Sequence, residues 1–180
     1  VVILQQMNYM QKKNLGYDKE HVVVLPIGGK MLKDFQNIKD AITKVPGVEA
    51  VTAAYETPEY VEWGDGITAT DEKGQHDISL NAMPVDLDFT KTLKMQMVAG
   101  RDFQESDFGI MDTSNNSANF QQPYIINESL AKQIGWTPEQ ALGKTIDKGS
   151  AGPVVGVIKD FNFSSLHDPI GPLVMFLGRN

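Results

Sequence analysis

The sequence predicts an α+β fold, and three observations carry that prediction. "HVVVLPI" at 21–27 and "VEAVTAAY" at 48–55 are apolar, largely β-branched runs of strand length. Between them Met31, Leu32, Phe35, Ile38, Ile42 and Val45 recur at steps of three and four, with Lys33, Asp34, Lys39, Asp40 and Lys44 on the other side. From residue 67 the pattern changes to short alternating runs around Asp71-Glu72-Lys73-Gly74, the mark of an antiparallel hairpin. A parallel β-α-β unit with a right-handed crossover is therefore expected first, and a mainly antiparallel region after about residue 62.

The other elements follow from local signals. Leu4, Met7 or Asn8, and Met10 or Gln11 stand at helical spacing, and Asn14 to Gly16 stop that short helix. Pro46-Gly47 closes the helix over 31–45. "DLDFTKTL" reads as a short helix or turn and "MQMVAG" as a strand with core-filling thioethers. Arg101-Asp102-Phe103 begins a long loop, and the polar stretch 104–122 reads as a flexible excursion. "PYIINESLAKQIGW" is strand then helix, with Asn127 as N-cap and Gly135 as the stop. In "TPEQALGK" Thr137 caps, Pro138 takes the first helical position, Gln140 completes a capping box and Gly143 ends the turn. "PVVGVIKDFNF" and "PLVMFLG" read as buried strands.

Composition narrows the functional classes. A chain of 180 residues suits one ordinary domain or two small intertwined ones, and 41% hydrophobic with 22% charged residues is a globular balance. A net charge of -7, with no basic cluster beyond Lys12-Lys13, repels a phosphate backbone, so nucleic acid is excluded as a partner. No window reaches the roughly 18 consecutive apolar residues of a membrane span, and no signal-peptide pattern is present. The absence of cysteine removes disulfides, thiolate ligands and thiol catalysis. An opening "VVIL" that turns polar at Gln5-Gln6 is expected of a piece cut from a longer chain.

Several groupings resemble chemistry and fail its requirements. Ser164, Ser165, His167 and Asp168 invite a nucleophile, base and orienter reading, but "NFSSLH" lacks the glycines of a nucleophile elbow. A turn after a strand, aimed by Pro169 and Pro172, accounts for the same residues. His21, His76 and His167 are too dispersed for a metal site, and Asp86 and Asp88 lack the continuation of a calcium loop. Gly64, Gly66 and Ala69 match a dinucleotide fingerprint without strand before or helix after, and Gly143-Lys144-Thr145 ends a P-loop whose first glycine is Pro138. "YETPEYVEWGDG", with Tyr55, Tyr60, Trp63, Glu56, Glu59 and Glu62, reads as a packed connector, with an aromatic ligand patch as the competing reading. No residue is assigned a catalytic, cofactor-binding or metal-binding role, and no cofactor is expected.

"QQMNYMQKKNLGYDKEHVVVLPI", "GRDF", "YIINESLAKQIGW...ALGKTI" and "VVGVIKDFNFSSLHDPIGPLVMFL", in that order, resemble the MacB-like periplasmic core domain of FtsX-like ABC transporter permeases. The two-module permeases common in Bacteroidetes are the most similar. The resemblance spans essentially the whole chain and implies a porter-like β-α-β layer with an inserted, mainly antiparallel β small subdomain. It implies this division: 1–16 a stalk or juxtamembrane helix, 17–62 the first part of the porter-like subdomain, 63–165 the inserted small subdomain, and 166–180 the return strand. It also implies that family members continue with a further strand and helix of the porter layer.

The function implied is that of an extracytoplasmic domain at the periplasmic face of the bacterial inner membrane. It would couple ATP-driven motion of flanking helices to export or to a periplasmic partner. Expected partners are a cognate ABC ATPase, a second permease module or protomer, and a periplasmic adaptor or cargo. The competing readings are a soluble periplasmic hydrolase using Ser164 or Ser165 with His167, and a ligand receptor built around Trp63.

Overall fold

The computed structural model describes residues 15–71, 74–110, 121–165 and 168–178. The helix expected over 4–13 lies outside them. Among the described residues two short helices come first, α1 (Lys30–Lys33) and α2 (Phe35–Thr43). Then follow β1 (Gly64–Asp71), β2 (Gly74–Val85), α3 (Phe89–Thr92), β3 (Met97–Gly100), α4 (Glu105–Ile110) and β4 (Tyr124–Asn127). The chain continues as α5 (Glu128–Ile134), α6 (Pro138–Ala141), β5 (Thr145–Asp147), β6 (Ala151–Ile158) and β7 (Leu173–Leu177).

One mixed sheet of seven strands organises the described residues, in the order β3-β6-β4-β7-β2-β1-β5. The β1–β2 hairpin is antiparallel as expected, from Gly64 opposite Asn81 to Asp71 opposite Gly74. β2 runs parallel to β7, and β4 parallel to β6. β5 is short but closes the sheet: it pairs with β1 through Thr68 and Ala69, and with the first residues of β6 through Ala151 to Pro153. Six strands thus form a ring, with β3 beside the second half of β6.

The central strands are buried on both faces, which explains why "VVGVI" and "LVMFL" are continuous apolar runs without alternation. On β7, Leu173, Met175 and Leu177 enter one cluster with Met83, Val85, Ile125, Ile158 and Phe161. Val174, on the opposite face, enters the other with Ala82, Tyr124, Ile126, Val154 and Val157. Leu130, Ala131 and Ile134 of α5 fill that second cluster together with Ile67, Ile78 and Ile146. The return strand expected near residue 172 therefore lies between β2 and β4, in the sheet built by residues 64–158.

The parallel β-α-β unit expected over 22–54 does not form among the described residues. Residues 22–29 and 48–53 have no strand assignment, and the contact there is an isolated antiparallel bridge of Ala54 with Val85. Val23 and Leu25 are 80% and 59% exposed. β-branched composition favours a pleated, half-buried surface, but a strand also needs a neighbouring ladder, and none lies beside this run among the described residues. The helix expected over 31–45 is interrupted at Asp34, and of its apolar stripe Phe35 is buried while Met31, Leu32 and Val45 are exposed.

Candidate functional site

The stretch richest in polar side chains, 159–172, is where distant parts of the chain are tied together. Asn127 ends β4 and caps α5, its Oδ1 accepting the Leu130 N–H at 3.0 Å. That oxygen also accepts the Leu173 N–H at 2.9 Å, and Nδ2 donates to Asp160 Oδ1 and to the Gly171 carbonyl, both at 2.8 Å. Asn127 is fully buried with both donors and both acceptor directions satisfied, the condition under which a buried amide is tolerated.

Asp160 is the second node of this clasp. Its Oδ1 accepts the Ser129 N–H at 3.0 Å, beside the bond from Asn127, and its own N–H donates to Glu128 Oε2 at 3.2 Å. Ser129 Oγ lies 2.6 Å from Asp160 Oδ2 and 3.1 Å from the Ile170 carbonyl. A hydroxyl has one proton, and the shorter, charge-assisted contact takes it. The carboxylate sits at the first turn of α5, where exposed N–H groups favour negative charge.

The next three residues fasten the leading segment to the sheet. Phe161 and Phe163 are buried in the first cluster, their rings 5.5 Å apart. Between them the Asn162 N–H donates to the Leu15 carbonyl at 2.8 Å, and the Val61 N–H donates to the Phe163 carbonyl at 3.0 Å. Gly16 has φ 91°, and a Cβ there would stand 2.7 Å from Phe161 Cβ, so only glycine lets the leading segment pass this close. Tyr17 packs edge-on against Phe161 at 5.9 Å. The Asp18 N–H donates to the Leu93 carbonyl at 2.8 Å, and Asp18 pairs with Lys94 at 2.6 Å, which holds the Asp18 carboxyl below its ordinary range.

Further along, the Asp86 N–H donates to the Ala53 carbonyl at 2.8 Å and its carboxylate pairs with Lys39 of α2 at 2.6 Å. Residues 15–62 are thus joined to the rest of the fold at the 160–163 strip, at Leu93 and Lys94, and along β2 and its exit. A cleft of about 610 Å³ follows the first junction, lined by Tyr17, Asp18, Lys94, Gln96, Lys159 and Asp160 among others.

The catalytic-looking group is not assembled among the described residues. Ser164 and Ser165 are exposed, and the Asp168 N–H donates to the Ser165 carbonyl at 3.1 Å, closing a turn. His167 lies outside the described residues. Asp86 is taken up by Lys39, Asp88 precedes α3 with φ 61°, and Gly64, Gly66 and Ala69 lie within β1. No group of three metal-ligating side chains occurs among the described residues.

Sequence reasoning missed an ion pair that holds a buried carboxylate. The excursion expected from residue 104 begins as α4, and Asp107, fully buried, accepts from Arg101 Nη1 and Nη2 at 2.8 and 2.7 Å and from the Gln104 N–H at 2.8 Å. Burial alone would push the Asp107 carboxyl up; the Arg101 fork and the Gln104 amide more than reverse it, so it lies below its ordinary range. The signal was the acid six residues after Arg101, with Gln104 between as a helix start.

The connector "YETPEYVEWGDG" is packed on one side and open on the other. Val61 is buried and Trp63 stands edge-on to Phe176 at 6.2 Å, while Tyr55 is 72% and Tyr60 60% exposed.

A family profile described as MacB-like periplasmic core domain matches residues 3–176, and the chain belongs to that family. Among solved structures, the periplasmic region of MacB from Actinobacillus actinomycetemcomitans superposes with a TM-score of 0.51 at 17% identity, over 81% of this chain and 65% of that one. That likeness is one of fold, and it agrees with a mixed α/β architecture. A domain of a permease protein from Porphyromonas gingivalis has 19% identity and a TM-score of 0.49 over 77% of this chain and 54% of that one. The extracellular domain of the noncanonic ABC-type transporter YknZ from Gram-positive bacteria has 17% identity and a TM-score of 0.48 over 79% and 61%. The chain therefore spans 54% to 65% of the length of these solved relatives. No curated protein matches. No helix of the described residues is long and apolar enough to cross a membrane.

Proposed function

We propose that this chain is the extracytoplasmic domain of an FtsX-like ABC transporter permease. In that role it couples ATP-driven motion of flanking membrane helices to export or to a partner outside the membrane. The observation that carries the reading is the family match over residues 3–176. In this reading residues 17–62 belong to a porter-like subdomain fed by the stalk at 1–16, and 63–165 form the small subdomain. The expected partners are a cognate ABC ATPase, a second permease module or protomer, and a periplasmic adaptor or cargo.

The clasp at Asn127 and Asp160 and the strip at 160–163 suit such a task. They tie the segment that would leave the membrane to the centre of a sheet buried on both faces, so a displacement of residues 15–18 is passed on rather than absorbed.

The location is tested by cysteine labelling in the intact permease. This chain has no cysteine, so one introduced at exposed Val23 or Ser164, in a permease cleared of cysteine elsewhere, is a specific handle. A membrane-impermeant maleimide should label it in intact spheroplasts; labelling only after lysis overturns the location. Coupling is tested by replacing residues 64–177 with a Gly/Ser linker. The permease should still co-purify with its ATPase but lose the substrate- or partner-dependent rise in ATP hydrolysis, and an unchanged rise overturns the coupling.

A further inference from the structure

We infer that Tyr55, Tyr60 and Trp63 form a preorganised docking surface for a cationic, Arg- or Lys-bearing segment of a separate polypeptide. The inference goes beyond the transporter reading and stands on the local geometry, so either can fail without the other.

Three observations support it. The first is exposure on a fixed frame. Tyr55, Tyr60 and Trp63 are 72%, 60% and 37% exposed, yet the backbone beneath them is held at every step. The Tyr55 N–H donates to the Pro84 carbonyl at 3.0 Å, the Ala82 N–H to the Trp63 carbonyl at 2.9 Å, and Asn81 Nδ2 to the Val61 carbonyl at 2.9 Å. Glu56 Oε2 accepts the N–H groups of Glu62 and Trp63 at 3.0 and 3.2 Å. Tyrosine and tryptophan on a rigid support lose little freedom on binding, which is why they dominate interface hot spots.

The second observation is charge. Residues 55–65 contain Glu56, Glu59, Glu62 and Asp65 and no basic residue; Asp65 is taken up by Lys148, while Glu59 and Glu62 are exposed. An acidic rim around aromatic faces attracts a cation and repels anionic lipid and nucleic acid. A second copy of this chain, itself at -7, is a poor electrostatic match.

The third is an occupant of the same chemistry within the chain. Lys148 Nζ lies 5.1 Å from the Trp63 ring centre and 4.6 Å from that of Phe176, and pairs with Asp65. Trp63 stands edge-on to Tyr55 at 5.3 Å, so the aromatic system that holds this internal cation continues outward to the exposed ring. In the same connector the exposed Tyr60 hydroxyl donates to Glu62, so an aromatic ring and a carboxylate again stand together at the surface.

The test uses the full chain with Trp136→Phe, which leaves Trp63 as the single tryptophan. An Arg/Leu repeat peptide, its Glu/Leu counterpart and phosphatidylglycerol vesicles are titrated while Trp63 emission and heat of binding are followed. The Arg/Leu peptide should bind and shift the emission, more weakly at high salt. Tyr55→Ala with Tyr60→Ala should weaken it by about tenfold or more, with Tyr55→Phe retaining affinity and the thermal midpoint unchanged. No binding of the Arg/Leu peptide, equal binding of the Glu/Leu peptide or the vesicles, or equal affinity in the double variant overturns the proposal. So does a Trp63 shift that tracks self-association in sedimentation.

Discussion

The Leu173 N–H and Asn127 Oδ1, 46 positions apart in the chain, are joined at 2.9 Å, and the same oxygen caps α5 through Leu130. One amide therefore fixes both where α5 starts and where β7 enters the sheet. Removing it strands buried donors and acceptors on three segments, each costing about 1–3 kcal/mol and not fully additive. Asn127→Ala is expected to lower unfolding free energy by about 3–4 kcal/mol in urea denaturation. Asn127→Asp keeps the acceptors but places a second carboxylate beside Asp160, which disfavours charge on the pair, so its deficit should be largest near pH 7 and shrink as pH falls towards about 4 and the pair takes up a proton. A loss under about 1 kcal/mol for Asn127→Ala would show that the junction is held elsewhere.

Asp107 makes the acid dependence testable. Its folded carboxyl lies below the unfolded range near 3.9, so the stability it contributes is present above that value and is lost as pH falls through the lower folded value. The stability gap between the parent chain and Asp107→Asn should be largest near pH 7 and narrow below about pH 4. Urea midpoints across that range check it, and a gap independent of pH removes the Arg101 pair as its cause.

What was legible in the sequence was local. The Thr137 capping box with Gln140 and Pro138, the Asn127 cap and the Gly135 stop with φ 92° all stand as the spacing predicts, because each closes within one helical turn. The strands at 153–158 and 173–177 were legible because burial on both faces writes itself as an unbroken apolar run. The unit over 22–54 was misread because Val22–Leu25 has strand composition while pairing depends on a neighbour that composition cannot supply. Asn127 was visible as a cap, but its bonds to Asp160 and Leu173 span 33 and 46 positions and leave no periodic trace. The Arg101–Asp107 pair was hidden because "ESDFGI" has too few apolar positions to show a helical stripe.

Two glycines of the β5–β6 region separate steric from conformational cost. A Cβ on Gly152 would meet the Gln122 backbone carbonyl, which cannot move aside as a flexible side chain would. Gly149 has φ 76° but open space around it. Gly152→Ala should cost about 3 kcal/mol or more, and Gly149→Ala about 1 kcal/mol from the left-handed backbone alone. Thermal midpoints of the two variants decide this; equal losses would mean that the strand bearing Gly152 shifts freely from Gln122.

Tyr17 gives the alkaline counterpart. Burial pushes its phenol up to about 12, and Glu59, whose Oε2 accepts from the hydroxyl at 3.4 Å, adds to the shift. The unfolded phenol ionises near 10, so Tyr17's contribution is fully present below that pH and is lost as pH rises from about 10 towards 12. Tyr17→Phe keeps the edge contact with Phe161 and gives up only a long hydrogen bond, so it should cost under about 1 kcal/mol at neutral pH. Between about pH 9 and pH 11.5 the urea midpoint of the parent chain should fall more steeply than that of the variant. Tyr124, also raised by burial, leaves the variant a residual slope. Parallel slopes in the two proteins would mean that Tyr17 ionises in the folded state as readily as in the unfolded one, and that the leading segment is not sealed against Phe161.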